Sequence, residues 1–181
     1  MKYHVTLVTG GSRSGKSACA LSLAEAHAPR AFIATAEALD EEMSARIARH
    51  RQERGGRFIT VEEPLDLAGA LRSLPSGTQV ALVDCLTVWL GNLLHKYGAS
   101  DEYYAEIRDF LDLIEDPPAH VILVANEVGW GIVPSDAVTR SFRDMAGWLN
   151  QDVARRAGTV ILTVCGIPLT LKDNMNREQE A

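Results

Sequence analysis

Long apolar stretches are missing from this chain. No run reaches the length a membrane span needs. The start lacks the pattern of a signal peptide and enters a core strand directly. We therefore expect a cytoplasmic protein without a membrane span. A basic excess is missing too. Lys and Arg total 18 against 24 Asp and Glu, a net charge of -6, so no electrostatic footprint for nucleic acid is present. Cysteine is scarce. Cys19, Cys85 and Cys165 lie far apart, form no Cys-x-x-Cys pair and have apolar neighbours. They read as buried thiols rather than disulfides or metal ligands. His4, His27, His95 and His120 share no metal-ligand spacing and read as surface or strand-edge residues. Internal repeats and low-complexity linkers are also absent. What remains is 181 residues of ordinary globular composition, 46% hydrophobic and 23% charged. That is enough for one domain with a full core, 1–181, its polar tail from about 172 frayed.

Against this plain background one stretch stands out. Gly10-Gly11-Ser12-Arg13-Ser14-Gly15-Lys16-Ser17 fits G-x-x-x-x-G-K-[ST], the phosphate-binding loop. The preceding Tyr3–Thr9 alternates and is β-branched, so it reads as a strand. The following Ser17–Ala28 is rich in Ala and Leu and stops before Pro29, so it reads as a helix. Glycines let successive N–H groups curl toward phosphate oxygens. The helix N-terminus adds partial positive charge. Lys16 would reach the β- and γ-phosphates, and the Ser17 hydroxyl would bind Mg²⁺.

Strand and helix signals then alternate. Strands are expected at Ala31–Thr35, Arg57–Glu62, Gln79–Asp84, Val121–Ala125 and Thr159–Val164. Helices are expected from Asp40 to about Arg54, from Pro64 toward Pro75, over Leu86–Tyr97, from Asp101 to Pro117, and over Asp136–Ala157. Pro64 suits the first helical position. This order predicts an α/β fold, a mostly parallel sheet with helices on both faces. Ligands bind beyond the carboxyl ends of such strands. The filter selects the phosphate loop, Ala34-Thr35-Ala36, Glu62-Glu63, Asp84 and Asn126-Glu127.

Asp84 closes an apolar strand downstream of a phosphate loop. That is the place of a carboxylate that organises Mg²⁺, and we favour this over a turn-forming Asp. On the helix from Asp40 to Arg54, helical spacing puts Arg46, His50 and Arg54 in one row. Two readings stand. One is a solvated basic face with a histidine near the helix C-terminus. The other is an anion site where arginines hold polyphosphate and a neutral imidazole attacks it. The loop Glu127–Pro134 is glycine-rich and carries Trp130 and Ile132. It reads as a lid, a substrate or subunit contact, or a loop pinned by aromatic packing.

Several stretches together resemble one family, the bifunctional adenosylcobinamide kinase and adenosylcobinamide-phosphate guanylyltransferase of cobalamin biosynthesis. They are VTGGSRSGKS at 8–17, FIATAEALDEEMSARIARHRQER at 32–54, the strand ending in Asp84, NEVGWGIVPSD at 126–136 and FRDMAGWLNQ at 142–151. The resemblance spans nearly the whole chain in the same order. It implies a P-loop NTPase fold, a corrinoid substrate, ATP or GTP, and Mg²⁺ held by Ser17 and Asp84. It implies a kinase step and then transfer of GMP through a histidyl–GMP intermediate, which falls on His50, with Lys16 also catalytic. GTP contacts would fall on Gly10, Gly11, Ser12, Arg13, Ser14, Gly15, Lys16 and Ser17, on Ala34, Thr35 and Ala36, on Arg51, Gln52, Glu53 and Arg54, and on Glu62 and Asp84. A homo-oligomer, plausibly a trimer, is also implied.

Two other functions compete. A small-molecule P-loop kinase needs the loop and Asp84 but not His50. A GTP-binding regulatory module would read guanine with Asn-Lys-x-Asp, whereas the matching segment here is Asn126-Glu127-Val128-Gly129.

Overall fold

The computed structural model describes residues 3–37 and 55–174. The expected helix from Asp40 to Arg54, with His50, lies outside the described residues. Strands β1 (Val5–Gly10), β2 (Arg30–Ala34), β3 (Ile59–Glu62), β4 (Val80–Asp84), β5 (His120–Asn126), β6 (Thr159–Val164) and β7 (Ile167–Asp173) form one sheet. Their order is β3-β2-β4-β5-β1-β6-β7. All pairings are parallel except β6 with β7. The described helices are α1 (Lys16–Glu25), α2 (Leu67–Arg72), α3 (Leu86–Tyr97), α4 (Ala105–Leu113) and α5 (Ala137–Arg156).

Helices cover both faces, as the alternating elements require. Successive strand residues point to opposite sides. Val8, Leu82, Ile122 and Val124 pack with Ala20 and Ala24 of α1. Leu7, Val83 and Leu123 pack the other way, against Leu71 of α2, Trp89 of α3, Phe110 of α4 and Leu149 of α5. Trp89 meets Phe110 edge-on at 5.1 Å between ring centroids. Its indole N–H donates to the Leu65 carbonyl at 2.7 Å, so this fully buried ring leaves no donor unmet.

Three departures from the expected elements have local causes. Pro64 does not open α2. The Glu63 carboxylate instead accepts the Leu65 and Asp66 N–H groups, and Asp66 caps the helix by accepting from Gly69. Helix α4 starts at Ala105 rather than Asp101. The Ser100 hydroxyl both accepts from the Glu102 N–H and donates to the Glu102 carbonyl, which holds a turn there. Strand β7 is additional. It returns from β6 through Cys165 and Gly166, both with positive φ (53° and 80°). That pair forms the two-residue turn that matches strand twist. Lys172 and Asp173 belong to this strand. The Lys172 ammonium donates to the carbonyls of Ala154 and Arg155.

Candidate active site

The loop between β1 and α1 is shaped by its contacts with β6 and β7. Gly10 has φ 151°, and a Cβ there would lie 2.5 Å from the Thr163 carbonyl oxygen. Gly15 has φ 97°, and its Cβ would lie 3.0 Å from the Gly166 Cα. Neither position admits a side chain. The buried Ser14 hydroxyl pairs with the Thr163 hydroxyl at 2.8 Å, and the Gly166 N–H donates to the Ser14 carbonyl at 2.9 Å. The hairpin that joins β6 to β7 thus buttresses the loop.

Helix α1 opens without a side-chain cap. Its first N–H groups are therefore oriented for an anion at the end where the helix dipole favours negative charge. Lys16 is buried, and its Nζ donates to the Gly11 carbonyl at 2.9 Å, across the mouth of the loop.

Two polar residues close the neighbouring strands on the same side. Asp84 follows Val80 and Leu82, and Asn126 follows Ile122 and Val124. All four apolar residues belong to the α1-side cluster. Strand alternation therefore aims Asp84 and Asn126 toward α1 and the phosphate loop. Asn126 is the register partner of Gly10, and Asp84 that of Val124. Thr35 is fully buried. Its hydroxyl donates to the Cys85 carbonyl at 2.9 Å and accepts from the Cys85 N–H at 2.8 Å. This clamp fixes the turn after Asp84, whose peptide bond to Cys85 is cis. Burial, and then the adjacent Asp84 charge, push the Cys85 thiol up to about 11, so it stays protonated at neutral pH.

A family model for cobinamide kinase / cobinamide phosphate guanyltransferase matches residues 6–171, which include the loop, both strand ends and the buttressing hairpin. The chain belongs to the cobinamide kinase / cobinamide phosphate guanyltransferase family. It is 45% identical to a bifunctional adenosylcobalamin biosynthesis protein of Pseudomonas aeruginosa over 167 residues, 92% of this chain and 96% of that protein. It is 41% identical to the Escherichia coli protein of the same description, over 92% of this chain and 98% of that one. Solved structures share the fold alone. The RadB recombinase superposes with a TM-score of 0.50 at 17% identity, covering 89% of this chain and 74% of its own. An ATPase of a bacterial type III secretion system gives 0.50 at 15% identity, covering 88% and 50%. These neighbours are P-loop NTPases, the fold expected from the sequence.

The other residues that the sequence suggested for the site occupy distinct places. Gly10 to Ser17, Asp84 and the Ala34–Ala36 turn meet at the carboxyl edge. Thr35 is turned inward, which leaves Ala34 and Ala36 beside it half-buried. Glu62 is exposed at the end of edge strand β3. Four strand spacings, about 19 Å, separate β3 from β1. His50, Arg51, Gln52, Glu53 and Arg54 lie outside the described residues.

The loop after β5 is fastened by hydrogen bonds to its backbone and to the Glu127 carboxylate, while Trp130 stays exposed. The Glu127 N–H donates to the Gly10 carbonyl at 3.1 Å. Its Oε1 accepts from the Thr9 hydroxyl at 2.6 Å and the Asn150 amide at 3.1 Å. Arg143 donates to the Gly129 carbonyl, and Arg140 to those of Pro134 and Ser135. Trp130 is 65% exposed and Ile132 97%. The sequence reading did not single out Thr9, Thr163, Gly166 or Asn150. Only the hairpin had a readable signal, two β-rich runs separated by two residues that include Gly.

Proposed function

We propose that this chain phosphorylates adenosylcobinamide at its aminopropanol hydroxyl and then transfers GMP from GTP to that phosphate, giving adenosylcobinamide-GDP. The family match from residue 6 to residue 171 carries this reading. The phosphate loop, with Lys16 across its mouth and an uncapped helix behind it, supports it.

In the kinase step the hydroxyl oxygen bonds to the terminal phosphorus of ATP or GTP. The bond from that phosphorus to its bridging oxygen breaks, and the hydroxyl proton is lost. In the second step an imidazole nitrogen of His50 bonds to the α-phosphorus of GTP and pyrophosphate leaves. A phosphate oxygen of the cobinamide phosphate then displaces the imidazole. A histidine with its ordinary pKa near 6.5 is largely neutral at pH 7, as this attack requires. Lys16 holds the phosphates that leave, and Arg51 and Arg54 hold the group that stays.

Ser17 and Asp84 would hold Mg²⁺. One hydroxyl and one carboxylate at the loop's end, with phosphate oxygens completing the set, form a hard oxygen site suited to that ion. Among the described residues no group of three or more His, Cys, Asp or Glu gathers to bind a metal by itself. When bound, the ion supplies charge neutralisation of the leaving phosphates. Glu62 serves the ribose or base end of the nucleotide, far along the sheet edge from the loop. We also infer a homo-oligomer, a trimer, working in the cytoplasm. The exposed Ile167, Leu169 and Leu171 on edge strand β7 support a contact between copies. A solution mass near three times 19.7 kDa is expected, and a monomer mass overturns the trimer.

The decisive experiment incubates the protein with α-labelled GTP and then denatures it. We expect an acid-labile, alkali-stable label that disappears in His50→Ala. An unlabelled wild type would instead favour a small-molecule kinase without a covalent step, and a labelled His50→Ala would remove His50 from the role.

A further inference from the structure

Asn126 ends β5, the strand that separates the phosphate-loop strand β1 from the Asp84 strand β4. Its backbone is fully engaged. The N–H donates to the Thr87 hydroxyl at 2.8 Å, and the carbonyl accepts from the Asn150 amide at 3.2 Å. Its side chain is different. Oδ1 is buried and has no hydrogen-bond partner among the described residues. Nearly every buried polar atom in a folded protein is paired, so an orphan calls for a reason. An apolar side chain of similar volume at this position would remove the unmet acceptor. The chain keeps an amide here, on the same side of the sheet end as Asp84 and Lys16.

An amide oxygen accepts hydrogen bonds and cannot donate them. It is therefore no partner for phosphate oxygens, which are acceptors too. It needs an O–H or N–H that arrives with the ligands. Resting on the nucleotide reading above, we infer that Asn126 is a positioning residue of the transfer site, whose Oδ1 accepts a hydrogen bond from an O–H group beside the terminal phosphate. That O–H has two sources, a water on the nucleotide's divalent cation or the hydroxyl that attacks the phosphorus. In either case the amide orients an oxygen whose lone pair must face the metal or the phosphorus. It takes no proton itself.

The test compares the full-length wild type with Asn126→Leu and Asn126→Ser. Thermal unfolding without ligand is measured first. Asn126→Leu is expected to unfold at or above the wild-type temperature, because it removes an unpaired buried acceptor. Calorimetry then measures binding of a non-hydrolysable GTP analogue, with Mg²⁺ and with EDTA. Steady-state kinetics measure phosphorylation of adenosylcobinamide. If the donor is cation-bound water, Asn126→Leu weakens analogue binding at least fivefold with Mg²⁺ and leaves it unchanged with EDTA. If the donor is the attacking hydroxyl, analogue binding is unchanged while kcat falls at least tenfold. In both cases Asn126→Ser, which keeps an oxygen acceptor, recovers part of the loss. Unchanged binding and unchanged kcat in a folded Asn126→Leu would overturn the inference. So would a parallel fall of unfolding temperature and activity in both variants. Failure of the wild type to bind the analogue would overturn the nucleotide reading, and this inference with it. Normal wild-type binding beside an unaffected Asn126→Leu would overturn this inference alone.

Discussion

Cys165 holds a left-handed backbone conformation, φ 53°, at an exposed turn. A side chain with a Cβ disfavours that region by roughly 1–2 kcal/mol, and asparagine less than most. Asn-Gly is also a preferred pair for this two-residue turn. Cys165→Asn is therefore expected to raise the unfolding free energy by about 0.5–1 kcal/mol, read from urea melts under reducing conditions. No gain would show that the turn adapts its backbone to cysteine without strain. The three cysteines also show what neighbours in sequence can reveal. Cys85 is buried, as its apolar flanks suggested, but Cys19 is half-buried and Cys165 is exposed. The flanks of Cys165 belong to strands, whereas the residue itself sits where those strands reverse. Thr35 teaches the converse. Its place after β2 marks the carboxyl edge, yet its hydroxyl is engaged by the Cys85 peptide, 50 residues away, which no local pattern announces.

At the scale of elements, the β6–β7 hairpin and the phosphate loop form one unit. Thr163 joins them through two contacts. Its hydroxyl pairs with Ser14 and also lies 3.2 Å from the Thr9 carbonyl, as donor. Thr163→Val keeps the shape and removes the hydroxyl. The buried Ser14 oxygen then loses its partner, at a cost of about 1–3 kcal/mol. We expect that loss in urea unfolding, together with weaker binding of Mg²⁺-GTP by calorimetry. Reduced stability with unaltered affinity would mean that the hairpin supports the fold but not the loop's shape. The sequence made the loop, its flanking strand and its helix legible, because Gly, Lys and Ser at fixed spacing have few other uses. It did not reveal the buttress. Strand β7 does alternate, with Ile167, Leu169 and Leu171 at every second position, but these residues are exposed in this chain, so the pattern marks a strand without saying what it supports. Contacts such as Ser14 with Thr163 join positions 149 residues apart, and neither residue type announces the other.

Taken as a whole, the molecule separates chemistry from a titratable cluster by the length of its central strands. Gly10 and Asn126 close β1 and β5 at one end. At the other, His4 precedes β1 and His120 opens β5, with ring centroids 4.1 Å apart. His27, after α1, lies 5.2 Å from His120, and Tyr3 packs edge-on at 5.3 Å. A seven-residue strand such as β5 spans about 20 Å, beyond the Debye length at physiological salt. Protonation at the histidine end should therefore act on stability and leave nucleotide chemistry alone. Burial lowers the His120 pKa, and the charges that His4 and His27 would carry lower it further. The unfolded chain then binds a proton at His120 more readily than the folded chain does. Stability is thus at its full value above the unfolded pKa, about 6.5, and falls as pH drops from there toward the folded value. Urea unfolding between pH 8 and pH 5 should show this decline. His120→Phe should flatten it, since the ring contacts persist while the titrating group and its repulsion with His4 and His27 are gone. Nucleotide affinity of the two proteins, measured at pH 7, should agree within twofold. An equally steep decline in His120→Phe would place the acid sensitivity elsewhere in the chain. A large change in affinity would show that the two ends of the sheet are coupled through β1 and β5 after all.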